Sequence, residues 1–209
     1  MKAIFIAGTD TGVGKTLASA WIAHHWPAAY WKPAQTGTAT DDGDDSGGVA
    51  RLAGVRVFPE ACRFAAPESP ARAAELEGRV IDPAGFVLPT GAERLVVEGA
   101  GGLLVPVAPD FLMIDLARQL ALPVLLVARS GLGTINHTLL SVEALRARGL
   151  PLLGVVMSGA PNAANRAAIE RHGRLPVLAE LPRLDPAADL AAQLHALALP
   201  PALRAALDA

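Results

Sequence analysis

Residues 2–16 read Lys-Ala-Ile-Phe-Ile-Ala-Gly-Thr-Asp-Thr-Gly-Val-Gly-Lys-Thr: a short apolar run, then a glycine-rich turn ending in Gly-Lys-Thr. This is the layout of a strand feeding a phosphate-binding loop that opens a helix. Gly12 and Gly14, with Val13 between them, let backbone N–H groups approach phosphate oxygens with no Cβ in the way. Lys15 brings a compact positive charge to the β- and γ-phosphates, and the Thr16 hydroxyl can ligate Mg²⁺. The helix that starts here points its positive dipole end at the anion. The chain is therefore expected to bind a nucleoside triphosphate. The strict pattern would put its first glycine at position 9, which is Thr9; Gly8 lies one residue early. The plain alternative is an ordinary strand–turn–helix with a chance Gly-Lys-Thr, and the strand in front of the turn argues against it.

Only three of the 18 basic residues are lysines: Lys2, Lys15 and Lys32. Arginine replaces lysine on most solvated surfaces, but less easily where one small ammonium must fit beside phosphate. Lys15 lies in the loop, and Lys32 at the end of the next apolar segment.

A length of 209 residues, 52% of them apolar and 18% charged, predicts a single domain spanning 1–209 with a substantial core. The net charge of −2 gives no basic footprint for nucleic acid. Cys62 is the only cysteine, which excludes an intrachain disulfide and a cysteine-based zinc site. The longest apolar stretch, roughly 120–128, is half a membrane span and contains Pro123. The expectation is a soluble, cytoplasmic protein with no membrane partner.

Strands are predicted over 2–8, 28–32, 94–98, 123–128, 152–157 and 177–181, mostly as continuous apolar runs. Such runs fit parallel strands covered on both faces. Helices are predicted over 15–25, 111–121, 135–148, 163–172, 186–198 and 201–208. The alternation implies an α/β fold: a mostly parallel central sheet between helical layers, with ligands at the C-terminal strand ends. Residues 38–49 read as a loop, and 59–91 as short helices and connections on the periphery without a confident strand.

Four further stretches stand at strand ends. Lys32-Pro-Ala-Gln-Thr-Gly37 puts a lysine beside the phosphate site, where it could hold an anionic group or simply precede a surface turn. Asp41-Asp-Gly-Asp-Asp45 could complete a Mg²⁺ shell with Thr16, or be a solvated acidic loop. The helix-like residues that follow make Asp45 or Ser46 the more firmly held position. Val97-Glu-Gly-Ala-Gly-Gly-Leu103 delivers Glu98 to a strand end, the usual place of a second Mg²⁺ anchor, and Gly101 permits close approach of a ligand. A glycine-rich turn capped by a solvated glutamate would read the same way. In Gly133-Thr-Ile-Asn-His-Thr138 a helix opens near Thr134; its free N–H groups could bind a carboxylate, or Thr134 could merely cap it.

Together these stretches resemble the dethiobiotin synthetases, with four motifs in that family's order between residue 1 and about 184. The extra residue in the phosphate loop is a habit of the family. The resemblance implies that ATP, CO₂ and 7,8-diaminopelargonic acid yield dethiobiotin, ADP and phosphate through a carbamate and a carbamic–phosphoric anhydride. It implies Thr16, Asp45 and Glu98 as Mg²⁺ ligands, and Lys15, Lys32 and Thr11 as the residues at the reacting groups. Thr36 and Gly101 would contact substrate, and Gly133, Thr134, Ile135 and Asn136 would clamp its distal carboxylate from the other subunit of a homodimer. There are three departures. Gly12 stands where some members carry a glutamate, Ser158 stands where many carry an adenine-reading asparagine, and the segment before Tyr30 is short. Other readings of the loop are a cobyrinate-type amide ligase, for whose glutaminase domain 209 residues leave no expected room, and a regulatory ATPase of the chromosome- or septum-positioning type. The latter carries a second lysine inside the loop, where Asp10 and Thr11 stand here.

Overall fold

The computed structural model describes residues 1–40 and 44–209. In chain order its elements are β1 (Lys2–Gly8), α1 (Lys15–His25), β2 (Ala29–Trp31), β3 (Ala34–Gln35), α2 (Asp45–Ala53), β4 (Val57–Phe58), β5 (Cys62–Arg63) and α3 (Pro70–Leu76). Then follow β6 (Arg94–Gly102), β7 (Pro106–Ala108), β8 (Phe111–Leu112), α4 (Met113–Gln119), β9 (Val124–Arg129), α5 (Thr134–Ala147), β10 (Leu152–Ser158), α6 (Ala163–Gly173), β11 (Val177–Leu181), α7 (Leu190–Ala196) and α8 (Pro201–Asp208).

Seven strands form a parallel sheet in the order β11-β10-β9-β1-β6-β2-β4. The six predicted strands are all in it. Side-chain alternation splits each strand between two apolar layers. Phe5, Val97 and Leu126 face one layer, with α3, α4, α5 and α6; Ile4, Ile6, Val96 and Val127 face the other, with α1, α2, α7 and α8. Burial on both faces is why these strands are continuously apolar. β1 lies between β6 and β9, and the chain turns in opposite directions from it. The crevice at its C-terminal end is the place where such sheets take ligands.

Several local expectations need correction. Within 38–49 the chain is helical from Asp45, because the Asp44 carboxylate caps the Gly47 N–H at 3.2 Å. Asp41 and Asp42 lie outside the described residues. The segment 59–91 does contain a strand, since Cys62–Arg63 pairs with Ala34–Gln35. Nor is it peripheral, because Phe64, Ala73 and Phe86 are buried in the α3/α4 layer. The helix expected from 111 begins at Met113: Phe111–Leu112 pairs with Pro106–Ala108, and Asp115 accepts from the Leu112 N–H at 3.0 Å. The helix expected from 186 begins at Leu190, where Asp189 caps the Ala192 N–H at 3.0 Å.

The last two helices cover α1 from behind. The Trp21 indole donates to Leu197 O at 2.5 Å and the Trp26 indole to Asp208 Oδ1 at 2.9 Å. His24 stacks on His195 with ring centroids 3.6 Å apart.

Candidate active site

At the C-terminal ends of β1, β2 and β6 lies a cleft of about 730 Å³. Its walls include ten of the residues picked out above: Thr11, Gly12, Gly14, Lys15, Thr16, Lys32, Thr36, Asp45, Glu98 and Gly101. They come from four separate stretches of chain, joined only by the strand order.

The phosphate loop has the backbone its glycines predict. Gly12 and Gly14 take positive φ angles of 69° and 94°, and α1 starts at Lys15 with its first N–H groups free of side-chain caps. Lys15 is nearly buried and folds back so that Nζ donates to Asp10 O at 3.0 Å. Its stem crosses Gly8, where a Cβ would stand 2.8 Å from Nζ and 2.9 Å from Cδ. A Cβ there would also stand 2.7 Å from Asp10 O, so position 8 has no room for a side chain. Burial lowers the Lys15 pKa, and the nearby carboxylate of Glu98 only partly offsets this.

In the same cleft, Lys32 Nζ lies 2.5 Å from Asp45 Oδ2 and 3.1 Å from Glu98 Oε1. Thr16 Oγ1 stands 2.7 Å from Asp45 Oδ1 and 3.0 Å from Glu98 Oε1. The Tyr30 hydroxyl donates to Glu98 Oε2 at 3.0 Å. Burial disfavours the charged form of Lys32, but Glu98 and Asp45 outweigh it and raise its pKa. Burial likewise opposes ionisation of Asp45, and the Lys32 ammonium overrides it to hold the carboxyl below the ordinary range. Tyr30 is pushed well above the usual phenol value, by burial first and then by the Glu98 charge. A threonine hydroxyl and two carboxylates converging within these distances are the hard oxygen donors that Mg²⁺ takes. The two ammonium groups of Lys15 and Lys32 in one cleft suit a ligand carrying several negative charges.

The remaining predicted residues lie outside the cleft. Val13 is buried under the loop. Ser158, at the end of β10, backs onto the loop: a Cβ on Gly14 would meet its Oγ at 2.5 Å. Gly133, Thr134, Ile135 and Asn136 form the exposed tip of α5 with Thr134 buried beneath. They stand near a second cleft of about 300 Å³ between Thr9–Thr11 and His137. Sequence reasoning missed Gln35, Ser69 and Tyr30. Gln35 sits inside the Lys32–Gly37 motif, nearly buried on the cleft wall, and its Oε1 has no hydrogen-bond partner among the described residues. Ser69 caps α3 at the Arg72 N–H and was flagged only by the proline after it.

A family model described as an AAA domain matches residues 2–190. An ATP-dependent dethiobiotin synthetase, BioD, of Paramagnetospirillum magneticum is 55% identical over 182 residues, spanning 87% of this chain and 88% of that protein. The biotin biosynthesis bifunctional protein BioCD of Bordetella avium is 56% identical over 186 residues, 88% of this chain but 40% of the longer protein. Among solved structures, the cell division ATPase MinD of Pyrococcus furiosus shares the fold at 19% identity, with a TM-score of 0.53, over 90% of this chain and 85% of that one.

Proposed function

The chain belongs to the ATP-dependent dethiobiotin synthetase family, and on that footing we propose that its cleft joins 7,8-diaminopelargonic acid and CO₂ into the cyclic urea of dethiobiotin, with ATP cleaved to ADP and phosphate. The observation that carries the reading is that Lys15 and Lys32 line one cleft together with Thr16, Asp45 and Glu98, the last two held by Lys32 and Thr16.

A carbamate on one amine of the substrate is an anion, and so is the γ-phosphate it must attack. Bringing two anions together is a problem of position and charge. Lys15 and the loop N–H groups would hold the phosphates, while Lys32 would neutralise the carbamate oxygen as it takes the γ-phosphoryl group from ATP and ADP leaves. Thr11 lies at the loop tip, within the same cleft, where it can donate to the transferring group. Thr36 and Gly101 line the substrate end. The second amine then attacks the carbonyl, and phosphate leaves as the ring closes. Thr16, Asp45 and Glu98 would hold Mg²⁺. The ion supplies charge neutralisation at the β- and γ-phosphates.

The distal carboxylate is assigned to the α5 tip of a second subunit, through Gly133, Thr134, Ile135 and Asn136. Support comes from their position outside the cleft of their own chain and from exposed leucines around them. Leu132 is fully exposed, and Leu104 and Leu140, both on the second cleft, are more than half exposed. Apolar exposure of this kind marks an interaction surface. Ser158 is assigned to the base end of the nucleotide site. Among the described residues no helix is long and apolar enough to cross a membrane, in keeping with a cytoplasmic enzyme.

The test is phosphate release from ATP and Mg²⁺, with and without diaminopelargonic acid and bicarbonate, with the product identified by mass. Release that requires both and gives a dethiobiotin mass is expected. Release indifferent to the diamine would overturn the substrate assignment and turn attention to a regulatory ATPase.

A further inference from the structure

Tyr30 is the only tyrosine in the chain. It is completely buried, among Ile4, Ile22 and Val96 in the α1 layer, and takes no part in the cleft wall. Phenylalanine would fill the same space. Among the described residues the hydroxyl makes one hydrogen bond, to Glu98 Oε2 at 3.0 Å. That oxygen is the one that neither Thr16 nor Lys32 touches; both lie against Oε1. Strand register brings the two residues together. Tyr30 on β2 stands beside Val96 on β6, so Glu98 is the next β6 residue on the same face. The terminal torsion of a glutamate is soft. A donor fixed by a buried ring on one oxygen is what sets the plane of this carboxylate.

We propose that Tyr30 is a positioning residue: its hydroxyl holds Glu98 Oε2 and so turns Oε1 into the cleft toward Thr16 and Asp45, setting the affinity of the site for a divalent cation. The inference rests on the reading of Glu98 as a metal ligand. Partners of this kind behind a metal ligand are typically worth about 10–100-fold in metal affinity.

The experiment measures Mn²⁺ binding to the ADP complex by electron paramagnetic resonance, in the parent chain and in Tyr30→Phe, Glu98→Gln and the double variant. Thermal melts establish that each variant folds. Tyr30→Phe is expected to weaken Mn²⁺ binding by about 10–100-fold, to leave the affinity for metal-free ADP as in the parent, and to add nothing in the Glu98→Gln background. Parent-like Mn²⁺ binding in Tyr30→Phe, alongside its loss in Glu98→Gln, would overturn the positioning role while leaving Glu98 as a ligand. Parent-like binding in Glu98→Gln would overturn both. Should Tyr30→Phe not fold, the parent sequence still answers. Grown with 3-fluorotyrosine, it carries one ¹⁹F resonance, from Tyr30. Adding Mg²⁺ to the ADP complex should move that resonance in the parent and not in Glu98→Gln; a resonance that Mg²⁺ leaves unmoved in the parent overturns the proposal.

Discussion

Lys32 Nζ lies 2.5 Å from Asp45 Oδ2 and 3.1 Å from Glu98 Oε1, so one lysine ties a helix-borne carboxylate to a strand-borne one. Both Lys32 and Glu98 are almost wholly buried. Removing the ammonium leaves two facing carboxylates with no cation between them. We predict that Lys32→Ala loses on the order of 3 kcal/mol of stability, the cost of breaking a buried pair. Added Mg²⁺ should recover part of that loss. Turnover should fall far more than nucleotide affinity. Thermal melts with and without Mg²⁺, together with ATP titrations, check this; equal losses of kcat and nucleotide affinity would move Lys32 into the nucleotide site.

The same pair sets a pH window. Asp45 is held below the ordinary carboxylate range, because Lys32 outweighs the effect of burial. Its contribution is complete above the unfolded value of about 3.9 and is lost as pH falls through the lower folded value. Lys32 is raised, because Glu98 and Asp45 outweigh burial. Its contribution is complete below the unfolded value of about 10.4 and is lost as pH rises through the higher folded value. The stability that the pair gives the parent should therefore be flat across neutral pH and be lost only at the two extremes. Urea midpoints of the parent over a pH series test this, and a midpoint that already falls steeply between about pH 6 and 8 would contradict it.

Lys15→Ala removes the charge held over the loop by its bond to Asp10 O. Loss of such a contact to a migrating group typically costs about 10²–10³ in kcat. Steady-state kinetics should show that loss with the fold intact by circular dichroism. Near-normal kcat would sink the phosphate-loop assignment.

Gly12 and Gly14 share a left-handed backbone, but only Gly14 is crowded. Among the described residues a Cβ at 12 meets nothing within 4 Å, whereas one at 14 stands 2.5 Å from Ser158 Oγ and 3.1 Å from Ser158 Cβ. Both alanine variants should carry about 1–2 kcal/mol of backbone strain. Gly14→Ala should cost more, and Ser158→Gly in its background should recover the excess but not the strain. Equal urea midpoints for the two single variants would refute the close approach of β10 to the loop.

Cys62 is half-buried, and burial pushes its thiol up to about 11. Against an ordinary thiol near 8.5–9, roughly a hundredfold less thiolate is available at pH 8. Iodoacetamide should therefore label the folded protein far more slowly than the urea-unfolded chain. A raised thiol pKa also means that its contribution to stability is complete below the unfolded value and lost as pH rises through the folded one. Equal labelling rates would place Cys62 in solvent.

The central strands were legible because burial on both faces writes itself as unbroken apolar runs. The loop glycines and Lys15 were legible because phosphate chemistry constrains neighbours in sequence. What escaped depends on distant partners. β3 and β5 are two residues each and exist only through each other. The start of α2 was obscured by Gly47 and Gly48, poor helix formers, and is set by the Asp44 cap. Phe64 and Phe86 give no periodic signal, yet they close the α3/α4 layer. Tyr30 reads as a strand aromatic until Glu98, 68 residues on, is placed beside it.

The covering of α1 by the C-terminal helices has a consequence for the order in which the protein is made. The helix that carries Lys15 and Thr16 leaves the ribosome well before the helices that cover it. Its Trp21 and Trp26 find their hydrogen-bond acceptors at Leu197 and Asp208, 176 and 182 residues later. At synthesis rates of about 5–20 residues per second, those indole N–H groups wait roughly ten to forty seconds for their partners. The helix that follows the phosphate loop is thus finished only once α7 and α8 have emerged, and until then the nascent chain must shelter its unpaired indole groups.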